Sequence, residues 1–271
     1  MSIPTAYEIR HLTLLDLDES YELQTIVHEA LEEDKKLFIL EKTKEQMAYY
    51  ISEHVAYGLF MDGKLVSQVY YALLDKEGNV DTQIELLKAI PQIVRNRELV
   101  AMPKAAETHP DMRGHGCLSA LLDYSFDEML SMGRVELFTD FAAFNEDSIS
   151  VFMKKGMMLI LTDHTPGDIE LSIGYNNLTY SAHPKVITQD FETVNMFDFE
   201  DTTEKMAEGL YPTVLDKSRD YKVMPSKEVE EMLEPVRDEL NEYREKMLAH
   251  HRAVKKAKAE EAAKELSEAA A

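Results

Sequence analysis

Glu107-Thr108-His109-Pro110-Asp111-Met112-Arg113-Gly114-His115-Gly116-Cys117-Leu118 is the stretch on which the reading of this 271-residue chain turns. Upstream, Glu98-Leu99-Val100-Ala101-Met102, continuing through Ala105-Ala106, reads as a strand. Downstream, Leu118, Leu121, Leu122, Ser125, Phe126, Met129 and Leu130 recur at spacings of three and four and predict a helix. A strand, a glycine-containing turn with an arginine, then a helix start is a way to hold an anion. The glycines let the backbone come close, and the free N–H groups of the first helical turn point at the ligand. The residues themselves therefore predict a pyrophosphate site at a helix N-terminus. Neither a Walker A lysine nor the full G-x-G-x-x-G fingerprint is present, which removes support for the mononucleotide and dinucleotide folds.

A second stretch lies about thirty residues on. Asn145-Glu146-Asp147-Ser148-Ile149-Ser150-Val151-Phe152-Met153-Lys154-Lys155-Gly156-Met157 follows a strand-like Val135-Glu136-Leu137-Phe138-Thr139 and reads as a short helix ended by Gly156. Together the two stretches resemble the GNAT superfamily of acyl-CoA-dependent N-acyltransferases. The first matches the V-x-P-x-x-R-G-x-G segment and R-x-x-G-x-G/A loop of that family, as Arg113-Gly114-His115-Gly116-Cys117-Leu118. The second matches its N-x-x-S-x-x-x-Y-x-x-x-G-F segment. The resemblance covers roughly residues 5–178 and implies a mixed, mostly antiparallel sheet flanked by helices, an α/β (α+β) fold. It also implies acetyl-CoA as co-substrate and an amine, on a small molecule or a protein, as acceptor. Two positions depart from the family pattern. Leu118 stands where the loop ends in a small residue and is expected to crowd a phosphate approaching that amide. Phe152 stands where the family has the tyrosine that protonates the leaving thiolate.

With 51 acidic and 29 basic residues the chain carries a net charge of −22. Residues 1–225 alone hold 39 acidic against 20 basic residues, so sequence-independent nucleic-acid binding is not expected. An acidic body suits a cationic acceptor. CoA would then be held locally by backbone N–H groups and Arg113, because charges beyond about 8 Å are largely screened at physiological salt. One cysteine, Cys117, allows no internal disulfide and fits a reducing compartment. No apolar run approaches the roughly 18 residues that a membrane span needs, and no signal-peptide pattern opens the chain. The expectation is a cytoplasmic protein.

Along the chain, loose alternation over 6–15 predicts a first strand, and Asp18-Glu19-Ser20 offers caps for a helix with Tyr21, Leu23, Ile26, Val27, Ala30 and Leu31 on one face. A second helix is expected around 44–52. Residues 55–61 and 65–74 flank Asp62-Gly63-Lys64 and predict a hairpin. Residues 80–97 form an insertion of helical spacing interrupted by Pro91, covering a sheet edge or, second, the acceptor pocket. Residues 157–162 and 169–173 read as two final strands. Three parts are therefore expected: a GNAT-like domain over 1–178, an extended strap or linker over 179–225 with one short helix near 203–208, and a C-terminal helix over 226–271. In that helix Val229, Val236, Tyr243 and His250 recur every seven residues, as do Leu233, Leu240, Met247 and Val254. This 3-4 stripe is the pattern of a coiled-coil seam, so a homo-oligomer or a protein partner is expected through 226–256, with packing on its own domain as the alternative.

Acyl transfer needs a deprotonated amine, a polarised thioester carbonyl and a protonated leaving thiolate. By the resemblance, exposed amides around 106–108, Thr108 among them, hold the pantetheine arm and polarise the carbonyl. Glu107 stands where the family often places a base, and its alternative is a solvated strand-edge carboxylate; His109 is the second candidate base. Asn145 is expected both as a helix cap and as a contact to pantetheine, with Ser148 on the same face. Tyr124 is a candidate acid in place of the missing tyrosine, and water is another. Cys117 sits near a helix N-terminus, where a thiol pKa tends to fall, although a packing role is favoured. Metal ligation is not expected: His28-Glu29 lacks the second histidine of H-E-x-x-H, and the adjacent His250 and His251 face different sides of a helix. Two functions follow: an acetyl-CoA-dependent N-acetyltransferase acting by direct attack, or a GNAT-like interaction protein, weak or inactive in catalysis, acting in an assembly through its C-terminal arm.

Overall fold

A computed structural model describes residues 7–36, 41–74, 94, 96–164, 169–179 and 191–269. The insertion expected at 80–97 falls almost wholly outside the described residues, as does 180–190. Seven strands form one sheet in the order β1-β2-β3-β4-β5-β7-β6. They are β1 Tyr7–His11, β2 Val55–Met61, β3 Lys64–Leu73, β4 Val100–Thr108, β5 Glu136–Ala142, β6 Met158–His164 and β7 Glu170–Asn177. Every neighbouring pair is antiparallel except β4 with β5. This is the mostly antiparallel α/β fold expected.

The β2–β3 hairpin closes on Asp62 (φ 50°) and Gly63 (φ 77°). Two successive left-handed residues match the right-handed twist of the flanking strands, which is why Asp-Gly marks such a turn. Helix α1 (Leu17–Glu29) and, after the short α2 (Glu33–Lys36), helix α3 (Lys44–Glu53) lie against β2–β4. Thr43 and Gln46 make a capping box at the start of α3. Helix α4 (Cys117–Ser131) covers the opposite face, where the Tyr71 and Ser125 hydroxyls meet at 2.7 Å. On the α1 face the Ser20 hydroxyl meets that of Tyr70. Adjacent residues of β3 thus serve the two layers, as strand alternation requires.

After helix α5 (Glu146–Met153) and the β6–β7 hairpin the chain departs from the expected strap. Residues 191–225 form a three-stranded antiparallel sheet in the order β8-β10-β9, with β8 Glu192–Asn195, β9 Leu210–Leu215 and β10 Asp220–Pro225. Helix α6 (Phe199–Ala207) lies where a short helix was expected. The strands are only four to six residues long, so no long periodicity announces them.

Ser226 caps helix α7 (Lys227–Leu233), Pro235 sits in a 3₁₀ turn at Glu234–Val236, and α8 runs from Arg237 to Ala269. The proline ends one regular helix and the next begins beyond it. Val229, Leu233, Val236 and Leu240 are buried in the same core as the two sheets. This first half of the heptad stripe is therefore occupied by the protein's own body, the alternative to a coiled-coil seam. Met247 and Val254, farther along, are partly exposed.

Candidate active site

The sheet opens between β4 and β5. These strands pair in parallel only at Val100–Glu136 and Ala101–Leu137, while β4 continues to Thr108 and β5 to Ala142. Pro103 lies just past the last pair; it has no N–H to donate to a ladder, and its carbonyl accepts instead from the Thr139 hydroxyl at 3.0 Å. Beyond it the amides of β4 face two ways. His109 N–H donates to Val66 O at 2.9 Å, on the β3 side. Peptide groups alternate along a strand, so the N–H groups of Thr108 and Ala106 face the β5 side, into the opening. A proline on one strand and a neighbour bonded elsewhere leave a slot with backbone donors on one wall.

The loop Arg113–Gly114–His115–Gly116 leads from the end of β4 into α4. Gly114 (φ 74°) and Gly116 (φ 84°) are both left-handed, and Gly116 is the residue preceding the first turn of α4. A side chain at either position would be strained. A Cβ added at Gly114 would meet nothing within 4 Å, so the space over the loop is open. The first-turn amides of α4 have no intrahelical acceptor. Arg113 is exposed and makes no ion pair among the described residues, and the His115 ring is turned back onto Arg113 O, with Nδ1 at 3.0 Å. Open space, free amides and an unpaired guanidinium fit a pyrophosphate.

Two expectations about this loop change. Leu118 is partly buried against the core, so its bulk is directed largely inward rather than over the amide. Cys117 is 1% exposed, and burial pushes its thiol up rather than down. It is a packing residue.

Glu107 is not a solvated edge carboxylate. It is 4% exposed on the α1 face, and its Oε2 accepts from Gln68 Nε2 at 2.5 Å. Gln68 is fixed in turn by the Ser20 hydroxyl, which donates to Oε1 at 2.5 Å, and by Ser20 O, which accepts from Nε2 at 3.1 Å. Burial raises the Glu107 pKa above its ordinary value, opposed by the Gln68 hydrogen bond and the Lys42 charge. A carboxylate so placed holds a proton more readily than one in water, as a base working near neutrality needs. Ser67 donates to Glu107 O at 2.8 Å and shares a hydrogen bond with the Thr108 hydroxyl at 2.9 Å. Sequence reasoning missed Ser20, Ser67 and Gln68. The signal was present in Gln68, a lone amide in the apolar run from Leu65 to Leu74.

His109 caps the 3₁₀ turn Pro110–Met112 through Nδ1, which accepts from Asp111 N at 3.3 Å. Asn145 caps α5, its Oδ1 accepting from Ser148 N at 3.3 Å, while its Nδ2 has no partner among the described residues. Phe152 is buried and packs edge-on against Phe141 of β5 at 5.4 Å. Tyr124 lies on the α4 face, edge-on to Tyr57 of β2 at 5.8 Å. The structure therefore does not bring Tyr124 to Glu107: the two lie on opposite faces of the sheet, and β2 is two strands from β4.

No protein-family model matches the chain, and no curated protein matches it by sequence. Solved structures do match. YncA from Salmonella typhimurium, assigned as an acetyltransferase and solved with its cofactor acetyl-CoA, aligns at 13% identity and a TM-score of 0.50 over 67% of this chain and 99% of its own. A GNAT-family acetyltransferase from Streptococcus pneumoniae aligns at 15% identity and TM-score 0.49, over 64% of this chain and 99% of its own. The PaiA N-acetyltransferase from Thermoplasma acidophilum, in complex with coenzyme A, aligns at 16% identity and TM-score 0.43, over 64% and 99%. This chain has the GNAT fold. About a third of it lies outside the alignment with YncA.

Proposed function

We propose that the protein is an acyl-CoA-dependent N-acyltransferase, with acetyl-CoA as donor and an amine as acceptor. The observation that carries this reading is the slot between β4 and β5, with the Ala106 and Thr108 amides on its wall and the Arg113–Gly116 loop nearby in the chain. The amides of the loop and first turn of α4, with Gly114, His115, Gly116, Cys117 and Leu118 contributing backbone, hold the pyrophosphate beside Arg113. The amides facing the slot receive the pantetheine arm and polarise the thioester carbonyl, whose oxygen becomes more negative as the amine attacks. Asn145 offers its free Nδ2 to the same arm, and Ser148 shares that helix start. Glu107 takes the amine's proton through water, since its burial leaves no room for direct approach; His109 is committed to its turn and ranks below it. With Tyr124 on the other face and Phe152 without a hydroxyl, the leaving thiolate takes its proton from water.

The acidic body, at net charge −22, favours a cationic acceptor. A cytoplasmic location is part of the same proposal, supported by the single cysteine; no helix among the described residues is long and apolar enough to cross a membrane. Phe152 supports a second reading, a GNAT-like binding protein with little or no turnover that contacts a partner or a second copy through the part of α8 beyond His251, which is mostly exposed. An amine library incubated with acetyl-CoA, with free thiol followed, separates the two. Turnover on at least one amine sustains the transferase. Stoichiometric acetyl-CoA binding with no thiol release on any amine leaves the binding protein.

A further inference from the structure

On the far side of the sheet from β1, three metal-ligating side chains meet that the transferase reading does not use. His164 is the last residue of β6 and pairs in register with Glu170, the first of β7. His251 reaches them from α8. One ligand atom from each of the three lies within 4.8 Å of the others. We propose that His164, Glu170 and His251 bind a divalent transition-metal ion, Zn²⁺ or a neighbour of similar imidazole preference, which fastens α8 to the β6–β7 end of the sheet.

Two imidazoles and one carboxylate form a donor set for borderline cations; Ca²⁺ and Mg²⁺ want more oxygens. Three protein ligands leave at least one position for water. The donors are also largely withdrawn from solvent: His164 and His251 are buried, and the Glu170 side chain is 19% exposed. One aromatic ring orients both imidazoles, since Phe199 of α6 packs edge-on to His164 at 4.9 Å and stacks on His251 at 4.8 Å. Bonds of about 2.0–2.1 Å would draw the donors inward by roughly an ångström. A hydrogen-bonded pair, His251 Nδ1 to Glu170 Oε1 at 3.0 Å, already holds two of them together.

Charges of both signs face the cluster. Lys255 and Lys258 of α8 act on Glu170, and His250 lies with its ring 5.0 Å from that of His164. Asp163 is adjacent on β6, and its Oδ1 accepts from His164 N at 2.7 Å. An ion bound here takes the place of the contact between His251 and Glu170. The neighbourhood connects to the candidate active site through the backbone: Glu170 O accepts from Ala143 N at 2.9 Å, two residues before Asn145.

The test uses the full chain, stripped with a chelator and dialysed. Zn²⁺ is titrated by calorimetry at pH 7.5, Co²⁺ is followed by its visible d–d absorption, and the thermal transition is recorded with and without Zn²⁺. One ion per chain is expected, with a Co²⁺ spectrum of mixed nitrogen and oxygen ligation and a rise in Tm that chelator reverses. His164→Gln, Glu170→Gln and His251→Gln should each weaken Zn²⁺ binding at least tenfold, with folding checked by circular dichroism, while His28→Gln leaves it within twofold. The absence of saturable one-to-one binding in the unsubstituted chain would overturn the proposal, whatever the variants do. So would unchanged affinity in a folded His251→Gln, or binding that leaves Tm where it was.

Discussion

The large sheet and the small sheet bury polar groups to different ends. In the large sheet the network Ser20–Gln68–Glu107 converges on one carboxylate of the strand that lines the slot. Around the small sheet the polar contacts are cross-links. The Thr162 hydroxyl of β6 meets Thr203 of α6 at 2.6 Å, Tyr211 of β9 donates to Glu230 of α7, and Arg244 of α8 donates to Ile160 O at 3.3 Å. Strand β6 is the edge of the large sheet, and the first and last of these contacts lie on it. An uncovered edge invites pairing with other chains, so the C-terminal unit closes what the first 178 residues leave open. On the proposed function, the chemistry belongs to the first region and the closure to the second.

The division can be broken by removing the closure. Ending the chain after Pro225 takes away Val229, Leu233, Val236 and Leu240, all buried. At roughly 1.5–3 kcal/mol each, this approaches the whole stability of an ordinary domain. The shortened protein is expected to lose its cooperative thermal transition or to aggregate through β6. A transition within a few degrees of the full chain, by calorimetry, would show that the second region is an ornament.

Chemistry should respond to the first region alone. Glu107→Gln keeps an acceptor for Gln68 but removes the base, and is expected to lower turnover by about 10²–10⁴-fold on any amine that is a substrate. Its effect on stability has the opposite sign and depends on pH. The folded-state pKa of Glu107 is raised by burial. The side chain therefore contributes most when protonated, below its unfolded value, and that contribution is lost as the pH rises through the folded value. Urea denaturation across this range should find Glu107→Gln gaining on the unsubstituted protein with rising pH. A constant gap would mean that the carboxyl is not desolvated.

Substituting the loop sharpens the comparison further. Gly116→Val forces a β-branched residue to φ 84°, so the loop must shift. Acetyl-CoA affinity should fall at least about tenfold by calorimetry while the thermal transition stays cooperative; a binding constant unchanged within twofold places the anion elsewhere. The smallest effect is expected at Phe152, where a hydroxyl enters a packed site against Phe141. Phe152→Tyr should cost about 1 kcal/mol of stability and leave turnover within roughly a factor of two. A tenfold rise in turnover would instead show that position 152 reaches the leaving sulfur.

The parts of the fold visible in the sequence share one property: their signals are short-range. Asp62-Gly63 specifies a hairpin because the turn needs two left-handed residues in succession. The spacing of Leu121, Leu122, Ser125, Phe126 and Met129 matches the buried face of α4 because a helix repeats locally. Asn145 announces the α5 cap for the same reason. The small sheet was hidden because Thr193, Val194, Leu215 and Tyr221 gain meaning only when paired across turns of unrelated sequence.

By itself, then, the sequence determined the order of strands and helices in the large-sheet region, the glycine loop at the start of α4 and the apolar stripe of the C-terminal helix. Each is written in residues a few positions apart. Only the tertiary structure decided that Glu107 lies buried under Ser20 and Gln68, and that Tyr124 stands on the other face of the sheet. It also decided that Leu233 and Leu240 pack on their own chain, and that His251 meets His164 and Glu170. Burial and the approach of distant side chains depend on how the layers close over one another, and local periodicity records which face of an element is apolar without recording what will cover it.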